Sequence, residues 1–554
     1  MKHGFVKVAA ATPKIKVADT VYNTEQIRLL MTESAAWGAR ITVFPELCIT
    51  GYTCQDLFLQ EKLLSGAKEA LMQLAEASAS LPGIYFVGLP YEINGKLYNV
   101  AAAISDGQVL GMVPKSYIPN YNEFYEVRHF TSGAELSVSV TLPDGSDVLV
   151  DREQMFVCEQ MPKLKIAVEL CEDLWTPNPP SIAHALSGAD VIVNLSASNE
   201  ITGKSAYRKE LVCGQSARLI SAYIYASAGE GESTQDLVFA GHNMIAENGR
   251  MLAESERFGH GVIYTEIDVE KLTAERRRMT TFVTEDHYSE VTFELEQEET
   301  KLTRYIDPAP FVPGDKNDRD KRCDEILMIQ AMGLKKRLAH THCQSAVIGI
   351  SGGLDSTLAL LVTARAFDLL GLPRNQILSV TMPCFGTTDR TYQNACELTR
   401  CLGATLKEVD IKEAVNLHFR DIGQDPEKHD VTYENGQARE RTQILMDLAN
   451  QSGGMVIGTG DLSELALGWA TYNGDHMSMY AVNASVPKTL VRHLVQYYAD
   501  TCGEKALSDI LLDVLDTPVS PELLPPKDGV ISQKTEDLVG PYELHDFFLY
   551  YMLR

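Results

Sequence analysis

The sequence predicts an α/β protein built in two parts. Three observations carry this. From about residue 347 onward, apolar runs of strand length alternate with helical patterns, which argues for a doubly wound parallel sheet. The first 270 residues also mix strands and helices, but hairpin turns stand among them, so the sheets there are mixed. At 554 residues the chain is too long for one core, and two large domains or more are expected. The boundaries read as 1–270, a connecting and docking segment at 271–320, and 321–554.

In the front part, Phe5 to Ala10 reads as a strand and Thr24 to Trp37 as an amphipathic helix closed by Gly38. Ile41 to Phe44 is a buried strand that Pro45 ends. Glu46 therefore stands at the carboxyl edge of a strand, where α/β sites gather. Leu57 to Ser80 reads as helix. Ile84 to Leu89 and Asn99 to Ile104 are strands with an Asn94-Gly95 turn between them. Val109 to Val113 leads into Pro114-Lys115, and Lys165 to Leu170 leads into Cys171. Val191 to Leu195 and Tyr223 to Ala226 follow. From Lys271 to Asp320 the composition turns to charge runs and prolines, which suggests a stiff link with solvated faces.

Composition narrows the function. A formal net charge of -26 argues against general nucleic-acid or membrane-surface binding. The eleven cysteines contain no C-x-x-C pair, so neither a zinc site nor a disulfide framework is indicated. Free cysteines fit a reducing, cytoplasmic setting. No run of about 18 apolar residues occurs, so no membrane span is expected.

The rear part is organised by Val347 to Ile350, a strand, then Ser351-Gly352-Gly353-Leu354-Asp355-Ser356, then a helix to Leu370. Strand, glycine turn and helix N-terminus make an anion site, because backbone N–H groups converge there and the helix dipole favours negative charge. Leu354-Asp355 stands where a Walker loop has its lysine, so this is a different phosphate loop. Asp355 is placed where a cation could bridge it to phosphate. Further strands are expected at Ile377 to Met382, Thr405 to Ile411 and Met455 to Gly458, and helices at Cys323 to Ala339, Thr391 to Leu402 and Arg439 to Ser452. Thr459 and Glu464 follow a strand end, and Glu464 is a candidate second carboxylate, with Asp355, for Mg²⁺. Asn435, Trp469 and Tyr472 offer amide and aromatic groups to a flat ligand, and Lys488 and Lys534 could neutralise phosphate.

Two family resemblances sharpen these readings. Phe44-Pro45-Glu46-Leu47, Pro114-Lys115 and Glu169-Leu170-Cys171-Glu172-Asp173 resemble, in this order, the Glu-Lys-Cys triad of the nitrilase (carbon–nitrogen hydrolase) superfamily. The likeness covers about residues 4 to 268 and implies an α-β-β-α sandwich and a thioester intermediate. Cys171 would be the nucleophile, Glu46 its base, and Lys115 the stabiliser of the oxyanion. Tyr121, Ser198 and Lys204 would hold glutamine, and Glu123 or Glu126 would be the supporting glutamate. Many relatives place proline where Asn199 stands.

The rear half resembles NAD synthetase over about residues 320 to 550, through 351–356, Glu434 to Arg441, Gly458 to Glu464, Gly468 to Asp475 and Val486 to Thr489. The likeness implies an adenine nucleotide alpha-hydrolase-like domain. It places ATP on Gly349, Ile350, Ser351, Gly352, Gly353, Leu354, Asp355, Ser356 and Thr459. Deamido-NAD would lie on Asn435, Glu464, Trp469, Tyr472 and Lys534, with Mg²⁺ on Asp355 and Glu464. Joined to a glutaminase, such a domain would amidate deamido-NAD to NAD through an adenylated intermediate, giving AMP, pyrophosphate and glutamate. A homo-oligomer is expected. Two alternatives stay open at this stage: a glutamine-fed adenylating enzyme acting on another acid, and a nucleotide-binding protein without catalysis.

Overall fold

The computed structural model describes residues 1–285, 287–518, 520, 523–525 and 535–553. It divides into two compact units, Met1–Tyr305 and Ile306–Arg554.

The first unit is built on two sheets. One has eight strands, in the order Gly261–Asp268, Phe5–Thr12, Ile41–Val43, Ile84–Ile93, Lys96–Ser105, Gln108–Pro114, Asp147–Asp151 and Ser137–Thr141. The other has seven, in the order Arg250–Glu254, Met244–Glu247, Ala222–Ser227, Val191–Ser196, Lys165–Leu170, Gln154–Cys158 and Ser289–Phe293. Strand alternation sorts their side chains between faces. Val8, Val43 and Phe86 of one sheet and Ile166, Val193 and Ile224 of the other share one buried core. On the outer face of the first sheet lie Ile27 and Met31 of helix Thr20–Ala36 and Leu71 and Leu74 of helix Glu61–Ser78. On the outer face of the second lie Ala185 of helix Pro180–Leu186 and Val212 of helix Lys204–Leu219. The order of layers is helix, sheet, sheet, helix.

The second unit has a five-stranded sheet, Thr405–Glu408, Ile377–Thr381, Ala346–Gly349, Met455–Gly458 and Tyr480–Ala481, with every pairing parallel. Its faces bury different sets. Ile348 packs with helices Lys316–Thr341, Leu354–Leu370 and Lys488–Thr501, while Val347 packs with Lys412–Ile422 and Val431–Ser452. Helices on both faces make it doubly wound.

Several element boundaries differ from the sequence expectations, each for a local reason. The helix expected over 57–80 is two pieces, because Gln60 is extended (φ -93, ψ 121) between the 3-10 turn Gln55–Leu59 and the helix Glu61–Ser78. The helix expected from Thr24 starts at Thr20, where the Asp19 side chain accepts the Tyr22 N–H at 3.1 Å. Asp430 caps Thr432 and Tyr433 likewise, so the helix expected from Arg439 begins at Val431 and takes in residues 434–441. The strand expected to Ile411 ends at Glu408. Strands Ser137–Thr141, Asp147–Asp151 and Gln154–Cys158 were not anticipated.

The segment 271–320 is more structured than a link. Helix Val269–Arg278 occupies its start, and Ser289–Phe293 pairs in parallel with Gln154–Cys158 at the sheet edge. Arg276 is not on a solvated face. Its side chain is half-buried, donates to the Ala189, Leu219 and Ile220 carbonyls, and pairs with Asp190 at 3.0 Å. Farther on, Arg304 pairs with Glu247 at 2.9 Å, Thr303 and Arg304 donate to the Glu266 carboxylate, and the Met1 amino group bonds the Glu298 carbonyl.

Candidate functional site

In the first unit the triad residues come from three separate strand ends. Glu46 lies just past Ile41–Val43, Lys115 just past Gln108–Pro114, and Cys171 just past Lys165–Leu170. Two backbone bonds bring Glu46 and Cys171 to one neighbouring strand end: Glu46 N–H donates to Ser196 O at 3.3 Å and Cys171 N–H to Leu195 O at 3.0 Å. Glu46 is fully buried. Its Oε1 accepts from Lys115 Nζ at 2.6 Å and from Asn99 Nδ2 at 2.7 Å, and its Oε2 accepts from Ala197 N–H at 2.9 Å. The carboxylate is thus held from three sides.

Lys115 also donates to both Glu126 oxygens, each at 2.8 Å. Of the two glutamates the sequence left open, Glu126 is the one on the lysine. Glu123 accepts instead from Asn199. Burial works against the Lys115 charge, but Glu126 and Glu46 outweigh it and hold the ammonium well above its ordinary pKa. Burial raises the Glu126 carboxyl, against the pull of Lys115.

Cys171 is 6% exposed and sits at φ 42, ψ -98. A non-glycine residue there carries backbone strain of about 1–3 kcal/mol, and such strain persists only where the surroundings fix it. Burial, and after it the Glu46 charge, push the thiol pKa up, with Lys115 opposing. The resting sulfur is therefore a thiol, and a base must take its proton before it can attack.

Around this centre, Tyr121 is half exposed and donates to both Glu172 oxygens, at 2.8 and 3.0 Å. Ser198 is buried and receives Arg208 Nη2 at 3.4 Å. Lys204 bonds Asn199 and lies 5.0 Å over the Trp175 ring. Sequence reasoning missed four residues. Asn99 and the Ala197 N–H hold Glu46, and Tyr52 donates to Glu126 at 2.8 Å. Asp173 accepts the backbone N–H groups of Ser116, Tyr117 and Leu170, tying the lysine loop to the cysteine turn. Its place two residues after Cys171, at the start of a short helix, was the available signal.

In the second unit a cleft opens at the carboxyl ends of the sheet. Gly349, Ile350, Ser351, Asp355 and Ser356 line it on one side, and Thr459, Glu464 and Trp469 line it elsewhere. Gly352 has φ +82, and a Cβ there would stand 2.1 Å from the Thr391 carbonyl oxygen, so the turn needs glycine. Gly353 is less constrained: a Cβ would meet only Ser351 Oγ, at 3.4 Å. Leu354 differs from expectation, since its side chain is buried in the core and only its backbone could serve a ligand. Tyr472 also differs. It is 75% exposed, stacks on His476, and does not line the cleft. Asn435 accepts from Thr471 at 2.8 Å. Lys534 lies outside the described residues.

Asp355 and Glu464 are joined by a third carboxylate, Asp461, with ligand oxygens all within 4.8 Å of one another. Lys488 reaches the three at 2.7 Å (Asp355), 2.7 Å (Asp461) and 2.9 Å (Glu464). It is buried rather than exposed. Burial opposes its charge, but Asp355, Glu464 and Asp461 outweigh that and keep it protonated. Burial first, then Asp355, raises the carboxyl pKa values of Asp461 and Glu464. Three hard oxygens this close suit an oxygen-seeking divalent cation. Asn483 ties the loops together by donating to the Asp355 and Thr459 carbonyls, both at 3.0 Å.

Comparison with known proteins agrees with this division. Residues 7–277 match the carbon–nitrogen hydrolase family and 327–551 the NAD synthase family. The chain is 43% identical over 572 residues to a glutamine-dependent NAD(+) synthetase of Mycobacterium tuberculosis, covering 100% of this chain and 84% of that one. It is 42% identical over 574 residues to that of Mycobacterium leprae, with 100% and 84% covered. The Aquifex aeolicus protein of the same name is 29% identical over 537 residues, with 96% and 86% covered. Fold and sites define a carbon–nitrogen hydrolase joined to an NAD synthase, an enzyme of the ligase type. More particularly, the chain belongs to the glutamine-dependent NAD(+) synthetase family.

Proposed function

We propose that this enzyme amidates deamido-NAD to NAD with ATP, using ammonia that its first unit releases from glutamine. One observation carries the reading. A buried Glu46–Lys115–Glu126 cluster beside a strained Cys171, and a glycine turn beside three convergent carboxylates, occur in one chain.

Cys171 Sγ attacks the glutamine amide carbon while Glu46 takes the thiol proton. Lys115 Nζ steadies the oxygen that becomes negative. Glu46 returns the proton to the departing nitrogen, so ammonia leaves and a thioester remains. Water, giving a proton to Glu46, then adds to the thioester carbon; the C–S bond breaks, glutamate leaves, and Glu46 hands the proton back to the Cys171 sulfur. Tyr121, Ser198 and Lys204 hold the amino-acid head.

In the second unit the nicotinate carboxylate attacks the α-phosphorus of ATP and pyrophosphate leaves. Ammonia displaces AMP from the adenylated intermediate. The glycine turn and the N-terminus of helix Leu354–Leu370 bind phosphate through backbone N–H groups. Asp355 and Glu464 would hold Mg²⁺, which when bound screens phosphate charge. Thr459 and Trp469 bound the nucleotide and nicotinate regions of the cleft. Self-association and a cytoplasmic location belong to the same reading.

The test is NAD formation from deamido-NAD, ATP and Mg²⁺ with either glutamine or ammonium. NAD with both donors, with AMP and pyrophosphate in equal amount, is expected. Adenylation of a different acid with no NAD formed would overturn the proposal.

A further inference from the structure

The backbone of Cys171 is held by more than the neighbouring strand. Its N–H is shared between Leu195 O at 3.0 Å and Asn194 Oδ1 at 3.3 Å. The Asn194 side chain is completely buried and fully engaged. Its Oδ1 also accepts from Ser196 Oγ at 2.8 Å, and its Nδ2 donates to Tyr223 Oη at 3.0 Å. Tyr223 Oη in turn donates to Glu169 Oε1, the other Glu169 oxygen accepts the Ser181 N–H at 2.8 Å, and the Asn194 amide also bonds the Glu169 carboxylate directly.

The sheet builds this chain. Glu169 and Asn194 are direct cross-strand partners, and Tyr223 pairs with Ile192, two residues away on the same face. All three side chains stand on the face that packs against the outer helices, opposite the sandwich core.

Glu169 is 1% exposed and has no ion-pair partner among the described residues. A buried carboxylate without a cation is costly, and packing alone would not call for one. Its chemistry supplies something else, a direction. Burial pushes the Glu169 pKa up, while the bonds from Tyr223, Ser181 and Asn194 favour its charged form; as a carboxylate it only accepts, so the Tyr223 proton points to it. The Tyr223 oxygen is then an acceptor, so Asn194 turns its NH₂ toward Tyr223 and its carbonyl toward Cys171. A reversed amide would set N–H against N–H at the nucleophile.

We infer that Glu169, Tyr223 and Asn194 are positioning residues for the thiol attack. The buried acid fixes the amide orientation that holds Cys171 in its strained turn. This rests on Cys171 being the glutaminase nucleophile, and the experiment separates the two claims.

Tyr223→Phe removes one oxygen and keeps the ring. We expect kcat for glutamine hydrolysis to fall about 10- to 100-fold, since small misplacements at a reacting atom cost that much. KM for glutamine should stay within about twofold. Ammonia-driven synthesis should be unchanged. Glu169→Gln should act the same way, and the double variant should be no worse than the more damaging single one, because both changes loosen the same Asn194 amide. Wild-type kcat in Tyr223→Phe, a loss confined to KM, an equal loss with ammonia, or single effects that multiply would each overturn the inference. Should Glu169→Gln fail to fold, the kcat and KM of Tyr223→Phe decide alone. A wild-type enzyme that releases no glutamate would instead defeat the role of Cys171 itself.

Discussion

Both sites place a buried lysine among carboxylates, and they use it in opposite ways. Lys115 faces two carboxylates, Glu46 and Glu126, with every side chain 5% exposed or less. Lys488 faces three, and two of them, Asp355 and Glu464, are 21% exposed. At the first site one cation faces two acids, and each Glu46 oxygen has a fixed donor. At the second site one cation leaves negative charge over, and that charge borders the cleft. Three hard oxygens so close could take a divalent cation. A closed site with fixed donors suits proton traffic; a more open one with a larger acidic excess suits metal-assisted phosphate chemistry.

The sharpest break in this comparison is removal of the thiol. Cys171→Ala should lower glutamine-driven NAD synthesis on the order of 10⁴-fold and leave the ammonia-driven rate intact, as read in paired assays. Equal loss with both donors would mean the sites are not chemically separate.

Next in size is the acidic cluster. Asp355→Asn and Glu464→Gln should each lower synthesis with either donor on the order of 10²- to 10³-fold, while glutamate release continues. A variant that keeps its ammonia-driven rate takes that carboxylate out of the metal set.

Lys488→Met tests the charge argument directly. Three crowded carboxylates lose their counter-ion, and the melting temperature should fall by about 5–10 °C. Added Mg²⁺ should raise the variant's melting temperature more than the wild type's. An equal response would show that the lysine and the metal do not share a site.

The smallest effect is pH dependence in the first unit. His184 is buried behind the strand that leads to Cys171, with its ring against the Val168 carbonyl at 2.9 Å and Tyr288 Oη at 2.8 Å. Burial pushes its pKa down to about 3. A lowered histidine binds fewer protons folded than unfolded. Its contribution to stability is complete above about pH 6.5 and is lost as the pH falls toward 3. Between pH 7 and 5 the urea midpoint of the wild type should drop more than that of His184→Gln. Parallel curves would remove His184 as the cause.

The two regions also differ in how much of them the sequence showed. The parallel sheet of the second unit was readable because its strands are short apolar runs separated by full helices. The strand Met455–Gly458 matches its expectation residue for residue. Strands Ser137–Thr141 and Asp147–Asp151 escaped notice because their residues are mostly exposed or half-buried, so no apolar run marks them. Glu46, Lys115 and Cys171 were visible through their contexts at strand ends. Asn99, Tyr52 and Asp461 were not, since an ordinary polar residue gains a role only when the fold aims it. The choice between Glu123 and Glu126 shows the same limit: three residues apart in sequence, they serve different partners in space.

The ribbon that runs from Ser289 to Arg304 has a practical meaning for anyone dividing the gene. The hydrolase family match stops at residue 277, which invites a cut there. Such a cut would strip the outermost strand and bare the rim of Gln154–Cys158, an open template for pairing with another molecule. It would also strand Glu247 and Glu266 without Arg304 and Thr303. A front half ended at 277 should clump in light scattering, whereas one carried through Tyr305 should stay dispersed.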